Sequence, residues 1–317
     1  MDEFYALITA VITMFILLLI GYFARRFGFL DDRLSKGIST LIICVAQPFM
    51  IIGAIIGIPY SADNVKTGFW ILLLGIGVHF LTAVIAFLAT FRMRDNDLRR
   101  ITEFSILFAN CGFLGFPILR SVFGDIGVFW GSFYVIVYNI VSWTYGMYVL
   151  GRARSEIKMN FVKMFLNYGT TPCIIGLILF FLRVQFPAPV LSAIDYMGSL
   201  CTPLSMLVIG GLLATIPVGK LFNNLRIYYL CLVRLVIVPI TVTLIGRLIG
   251  LSLEFSIFTS ILSAMPTAAN SGMFAEKFDL KPEYAAHGVG MTTFFSAATV
   301  PLIVLLSKTL YSIFPAA

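Results

Sequence analysis

Two short stretches, Asn110-Cys111-Gly112-Phe113 and Asn270-Ser271-Gly272-Met273, place an asparagine, a small residue and a glycine inside otherwise apolar runs. Uncharged donors of this kind suit an anion. A half-helix that starts at mid-membrane depth offers free backbone N–H groups and roughly +0.5 charge. An asparagine amide adds a donor without the desolvation penalty of a buried ammonium. Pro117 and Pro266 lie close by; proline removes a backbone donor and glycine tolerates non-helical dihedrals, so the first run is expected to break around Gly112 and Pro117 and the second at equivalent depth. Unwound backbone inside a membrane is tolerated only where it is buried in protein or lines a wet cavity. For one such run a kink eased by neighbouring helices is the blander reading, whereas the recurrence of the pattern in the second half favours a paired binding site.

Few other residues could do chemistry. Arg234 stands about eight residues into an apolar run, roughly 12 Å from its end, which is deep for an interfacial position. A charge or coupling role and a snorkelling side chain are the two readings of it. His287 reads as a hydrogen-bonded packing histidine, with a proton carrier as the alternative. Glu103 and Glu254 fall at run ends and read as interfacial. Gly219-Lys220-Leu221 lacks the hydroxyl residue of a phosphate-binding loop, and neither G-x-S-x-G nor H-E-x-x-H occurs. Cys44, Cys111, Cys173, Cys201 and Cys231 all lie in apolar stretches without metal-ligand spacing and read as packing residues rather than a disulfide framework. An ATP-driven pump and a hydrolase are thereby disfavoured, and no metal or cofactor is implied.

The elements that must position these residues follow from composition. Of 317 residues 60% are hydrophobic and only 12% charged, far from the balance of a soluble domain. Apolar runs of helical length fall at 4–24, 37–58, 67–91, 102–120, 126–150, 164–183, 190–215, 227–249, 254–276 and 284–310, ten spans in all. The net charge of +7 could suggest nucleic acid, but sixteen of the 22 Lys and Arg residues fall on one side of these spans, among them Lys36, Arg99 and Lys158. The charge is therefore topological: that side is cytoplasmic, both termini face outward, and no nucleic-acid partner is implied. The acidic start Met1-Asp2-Glu3 argues against a removable signal peptide.

Residues 1–150 and 164–317 each hold five spans, joined by a short cytoplasmic linker, 151–163. Because five is odd, the second half must be inverted relative to the first. Cys44-Val45-Ala46-Gln47-Pro48 in span 2 matches Cys201-Thr202-Pro203 in span 7, and the two asparagine stretches fall in spans 4 and 9. Inverted repeats with corresponding Gly/Pro-interrupted spans point to a secondary transporter. Gly53-Ala54-Ile55-Ile56-Gly57 in span 2 is a small-xxx-small motif suited to close helix packing, here expected at a dimer contact.

Gly28-Phe29-Leu30, Leu41 to Pro48, Asn110 to Pro117 with Phe123-Gly124, Arg234-Leu235 to Pro239, Met265-Pro266 through Phe274-Ala275, Lys281-Pro282 and Val300-Pro301 together resemble the auxin efflux carrier family over nearly the whole chain. That family includes the plant PIN-type exporters and bacterial carriers of dicarboxylates. The resemblance implies an all-α fold of ten transmembrane helices, with helices 1, 2, 6 and 7 as a dimerising scaffold. Helices 3–5 and 8–10 would form a moving transport domain, with broken helices 4 and 9 crossing at the substrate site. It places Asn110 at the crossover and Asn139 among the residues facing substrate. Where the PIN-type carriers have a proline beside each crossover this chain has Ala109 and Ser271, and it lacks their long central loop, as a prokaryotic-type member would.

The expected function is therefore secondary, elevator-type transport of a small organic anion, a mono- or dicarboxylate, by a homodimer in the bilayer of a bacterial inner membrane. The expected substrate-binding residues are Asn110, Cys111, Gly112, Asn139, Pro266, Asn270, Ser271 and Gly272, with Arg234 and His287 as candidates for a coupling or charge role. A proton or sodium ion would couple, and no cofactor takes part. The alternative is a PIN-like membrane sensor or channel-like protein without alternating access; an intramembrane enzyme lacks paired catalytic groups.

Overall fold

The computed structural model describes residues 2–153, 168–215 and 223–313, which are helical apart from short connections. In chain order the helices are α1 (Asp2–Arg26), α2 (Asp32–Gly57), α3 (Ala62–Thr90), α4 (Asn96–Leu107), α5 (Cys111–Phe123), α6 (Asp125–Gly151), α7 (Thr170–Phe181), α8 (Ala188–Thr215), α9 (Leu225–Leu248), α10 (Leu253–Ala264), α11 (Asn270–Lys277) and α12 (Pro282–Ile313). Six of them, α2, α3, α6, α8, α9 and α12, are long and apolar enough to cross a membrane. The remaining four expected spans fall on α1, on α4 with α5, on α7, and on α10 with α11. Most of the expected linker, from residue 154 on, lies outside the described residues.

Local chemistry sets the helix boundaries. Asp31, Ser61 and Asp95 cap α2, α3 and α4 by accepting the backbone N–H of the residue three positions on, at 2.6, 3.0 and 3.1 Å. Gly28, at φ +82°, lets the chain turn out of α1. Proline reshapes helices without ending them: Ile42–Ala46, Cys111–Gly115 and Val233–Ile237 are each one π-type turn wide, immediately before the dipeptides Gln47-Pro48, Phe116-Pro117 and Val238-Pro239. A proline cannot donate to the carbonyl four residues back and its ring crowds that carbonyl, and the wider turn relieves both problems.

Packing brings α1 along α8, the second half of α2 onto α7 and α8, α3 onto α6 and α4, and α12 onto α10 and α9. The seam between α1 and α8 is made by glycine. A Cβ on Gly21 would strike the Leu207 backbone, and one on Gly210 would strike the backbones of Leu18 and Tyr22. The span 2 motif is used within the chain, since a Cβ on Gly53 would lie 2.9 Å from the Ile194 side chain on α8, while Gly57 faces open space. Gly53 is therefore no pointer to a dimer contact. All five cysteines are free. Glu103, expected at a span end, is turned into the protein: it is 1% exposed and paired at 2.7 Å with Arg100, one turn earlier on α4.

Candidate functional site

The run expected to form span 4 leaves the helix at Phe108, Ala109 and Asn110, and the run of span 9 does so at Met265 to Ala269. The first break therefore lies upstream of Gly112 and Pro117. Pro117 is absorbed by the π-type turn, and Gly112 sits inside it without a positive φ. Instead the two breaks hold each other open. They run antiparallel, with Ala109 paired to Thr267. The Asn110 N–H donates to the Pro266 carbonyl at 2.8 Å and the Ala268 N–H to the Phe108 carbonyl at 2.9 Å. Each break thus supplies backbone partners that a membrane interior cannot.

Four helix ends meet here, and their unpaired groups can be followed one by one. On the C-terminal side, the Thr267 hydroxyl donates to the Ser105 carbonyl at 3.0 Å. Arg234 takes three more: Nη1 donates to Ile106 at 2.9 Å, Nη2 to Ser263 at 3.0 Å and Nε to Met265 at 3.0 Å. Its side chain is buried with the guanidinium among carbonyls, so it does not snorkel. Thr292 of α12 joins by accepting the Thr267 N–H at 3.1 Å.

The N-terminal side is less complete. Asn110 caps α5, its Oδ1 accepting the Phe113 N–H at 3.1 Å, but its Nδ2 is buried without a partner. The Ser271 Oγ in the first turn of α11 is likewise buried and unpartnered. The Asn270 amide meets the Tyr138 hydroxyl at 3.2 Å, and the Tyr138 ring lies edge-on to Phe108 and His79 at 5.5 and 6.0 Å. Cys111 is buried in the first turn of α5. A Cβ on Gly112 would come within 2.8 Å of the Gln47 Nε2 from α2, whereas one on Gly272 would meet nothing within 4 Å. A small cavity of about 20 Å³, lined by residues including Met14, Leu114, Pro266 and Ser296, separates the crossing from α1.

The structure thus brings Asn110 against Pro266, with Cys111 and Gly112 following in the first turn of α5 and Asn270, Ser271 and Gly272 in the first turn of α11, and adds Arg234 on the C-terminal side of the breaks. Asn139, the chain neighbour of Tyr138, donates its Nδ2 to the Val135 carbonyl of its own helix at 3.0 Å. His287 lies half-buried in the second turn of α12, before the part of that helix that reaches Thr267. Gln47, Tyr138, Thr267 and Thr292 are additions. Gln47 belongs to a motif visible in the sequence, but nothing local signalled that α2 would bring it to Gly112. The crossing offers donors, two helix N-termini and a cation, and none of the ion pairs among the described residues includes Arg234. Such an arrangement can hold a negative charge.

Residues 6–304 match a family described as membrane transport protein. An uncharacterized transporter of Methanocaldococcus jannaschii is 25% identical over 300 residues, spanning 92% of this chain and 96% of that one. A proposed malonate transporter of Rhizobium meliloti is 22% identical over 300 residues, 92% of each chain. An uncharacterized transporter of Methanothermobacter thermautotrophicus is 23% identical over 301 residues, 92% of this chain and 95% of that one. These similarities extend along almost the full length, through α4, α5, α10 and α11 alike. With its apolar helices and its paired breaks, the chain belongs to the membrane transport protein family, that of the auxin efflux carriers, as an integral membrane transporter and not an enzyme.

Proposed function

We propose that this protein is a secondary active transporter of a small organic anion, a mono- or dicarboxylate, bound where the two breaks cross. One observation carries the reading: Asn110 Nδ2 and Ser271 Oγ, one in each half of the chain and each beside a helix N-terminus, are buried donors with no partner. A buried donor left unpaired is costly, so a ligand with acceptor oxygens is what the pair suits. The malonate named for the Rhizobium meliloti relative supports a carboxylate. In this reading Asn110, Cys111, Gly112, Asn139, Pro266, Asn270, Ser271 and Gly272 line the site with Gln47.

The ten spans form two inverted five-helix repeats, 1–150 and 164–317. The contacts of α1 with α8 and of α2 with α7 and α8 support a scaffold of spans 1, 2, 6 and 7, against which spans 3–5 and 8–10 move as an elevator. The protein works as a homodimer through spans 2 and 7 in a bacterial inner membrane, with both termini outside and a proton or sodium ion as the coupling ion. Uptake into proteoliposomes, measured with a panel of carboxylates under imposed pH and sodium gradients, tests this reading. Saturable malonate uptake, driven by one of the two gradients and competed by related acids, is expected. Uptake restricted to neutral or cationic solutes would overturn the anion reading.

A further inference from the structure

Arg234 is the largest fully buried side chain among the described residues, and its charge meets no carboxylate there. A bare buried cation is strongly unfavourable, so its compensation must be sought in what it touches. It touches carbonyls only, and they belong to two helix ends: Ile106 in the last turn of α4, and Ser263 with Met265 at the end of α10. A helix C-terminus carries roughly −0.5 charge, so two of them match one guanidinium. The remaining two ends at the crossing are the N-termini of α5 and α11, roughly +0.5 each, and they stay unopposed. Without the guanidinium the four ends would cancel and the crossing would have no preferred sign.

We propose that Arg234 sets the charge selectivity of this transporter: by neutralising the C-termini of α4 and α10 it leaves the N-termini of α5 and α11 free to select a single negative charge. It does so as a positioning residue, without touching the substrate. The inference rests on the anion site proposed above and adds to it which residue creates the preference and how many charges it matches.

Three ligands of one shape decide the matter: malonate, its monoamide malonamate, and the neutral diamide malonamide, titrated onto the purified protein at neutral pH. For the wild type, malonamate should bind within a few-fold of malonate, and malonamide about tenfold or more weaker, since one charge is matched. In Arg234→Gln or Arg234→Met the ratio of malonamate to malonamide affinity should collapse toward one, while malonamide itself changes little. Arg234→Lys, which keeps the charge, should restore the ratio even if its melting temperature falls. A guanidinium that merely braces the fold predicts something else: all three ligands weaken together and the ratio survives neutralisation, which overturns the proposal. The wild-type series can also overturn the proposal by itself, because a preference requiring both carboxylates, with malonamate no better than malonamide, is incompatible with a single matched charge. A wild type that binds none of the three removes the anion site and this proposal together. A wild type with the expected series, whose ratio persists in the neutral variants, removes this proposal alone.

Discussion

Asn110 divides its side-chain amide between two tasks, and substitution can separate them. Its oxygen caps α5 through the Phe113 N–H, while its nitrogen is left free inside the protein. Asn110→Asp keeps a cap and complements the helix dipole, so thermal stability should match or exceed the wild type. Carboxylate affinity should nevertheless fall, because the variant loses a donor and sets a like charge in a poorly screened site. Asn110→Ala loses the cap and should cost about 1 kcal/mol of stability, with a smaller loss of affinity than Asp. Melting curves and ligand titrations on both variants check the order; an Asp variant that binds as well as wild type would leave the cap and remove the site. Asn110 and Asn270 were legible in the sequence because an amide between a small residue and a glycine is conspicuous in an apolar run. The partners of Arg234 were not: its three carbonyls belong to residues 128, 29 and 31 positions away, and no local pattern encodes such distances.

The helices themselves were legible from apolar length, but the place where two of them stop was not. Glycine and proline drew attention to Gly112 and Pro117, whereas the chain leaves helical geometry at Phe108–Asn110 because Pro266 and Ala268 are there to bond it. The glycine seam shows a similar gap between motif and use. Gly210→Val should push α1 from α8, since its Cβ meets backbone that cannot swing aside, and should lower the yield of monodisperse protein on size exclusion. Gly53→Leu meets only the Ile194 side chain and should be milder. At the start of α4, the Leu98 N–H and, less strongly, Lys281 hold the Asp95 carboxyl below its ordinary pKa. A depressed carboxyl stabilises the fold above its unfolded pKa and loses that contribution as pH falls through the folded value. The melting temperature of the wild type should therefore decline below about pH 4 more steeply than that of Asp95→Asn, whose amide caps α4 without titrating. Melting curves between neutral pH and about pH 3 would show the two converging if the assignment holds.

At the scale of the molecule, the asymmetry of basic residues makes an orientation testable. Single cysteines at Lys36 and Arg99, in a chain whose own cysteines are replaced, should be labelled by an impermeant reagent only after the cytoplasmic face is opened; labelling of either in intact cells would invert the topology. The pairing of the two breaks bears on the whole chain in another way, through its biogenesis. The Ser105 carbonyl waits for a hydroxyl 162 residues further on, and Ile106 for a guanidinium 128 residues further on. A nascent chain that has inserted only its first half therefore carries backbone groups that neither lipid nor its own helices can satisfy. The first half is an unfinished object in the bilayer, dependent on the insertion machinery until the second half is translated. Expressed alone it should be degraded, and co-expression of the second half should rescue it.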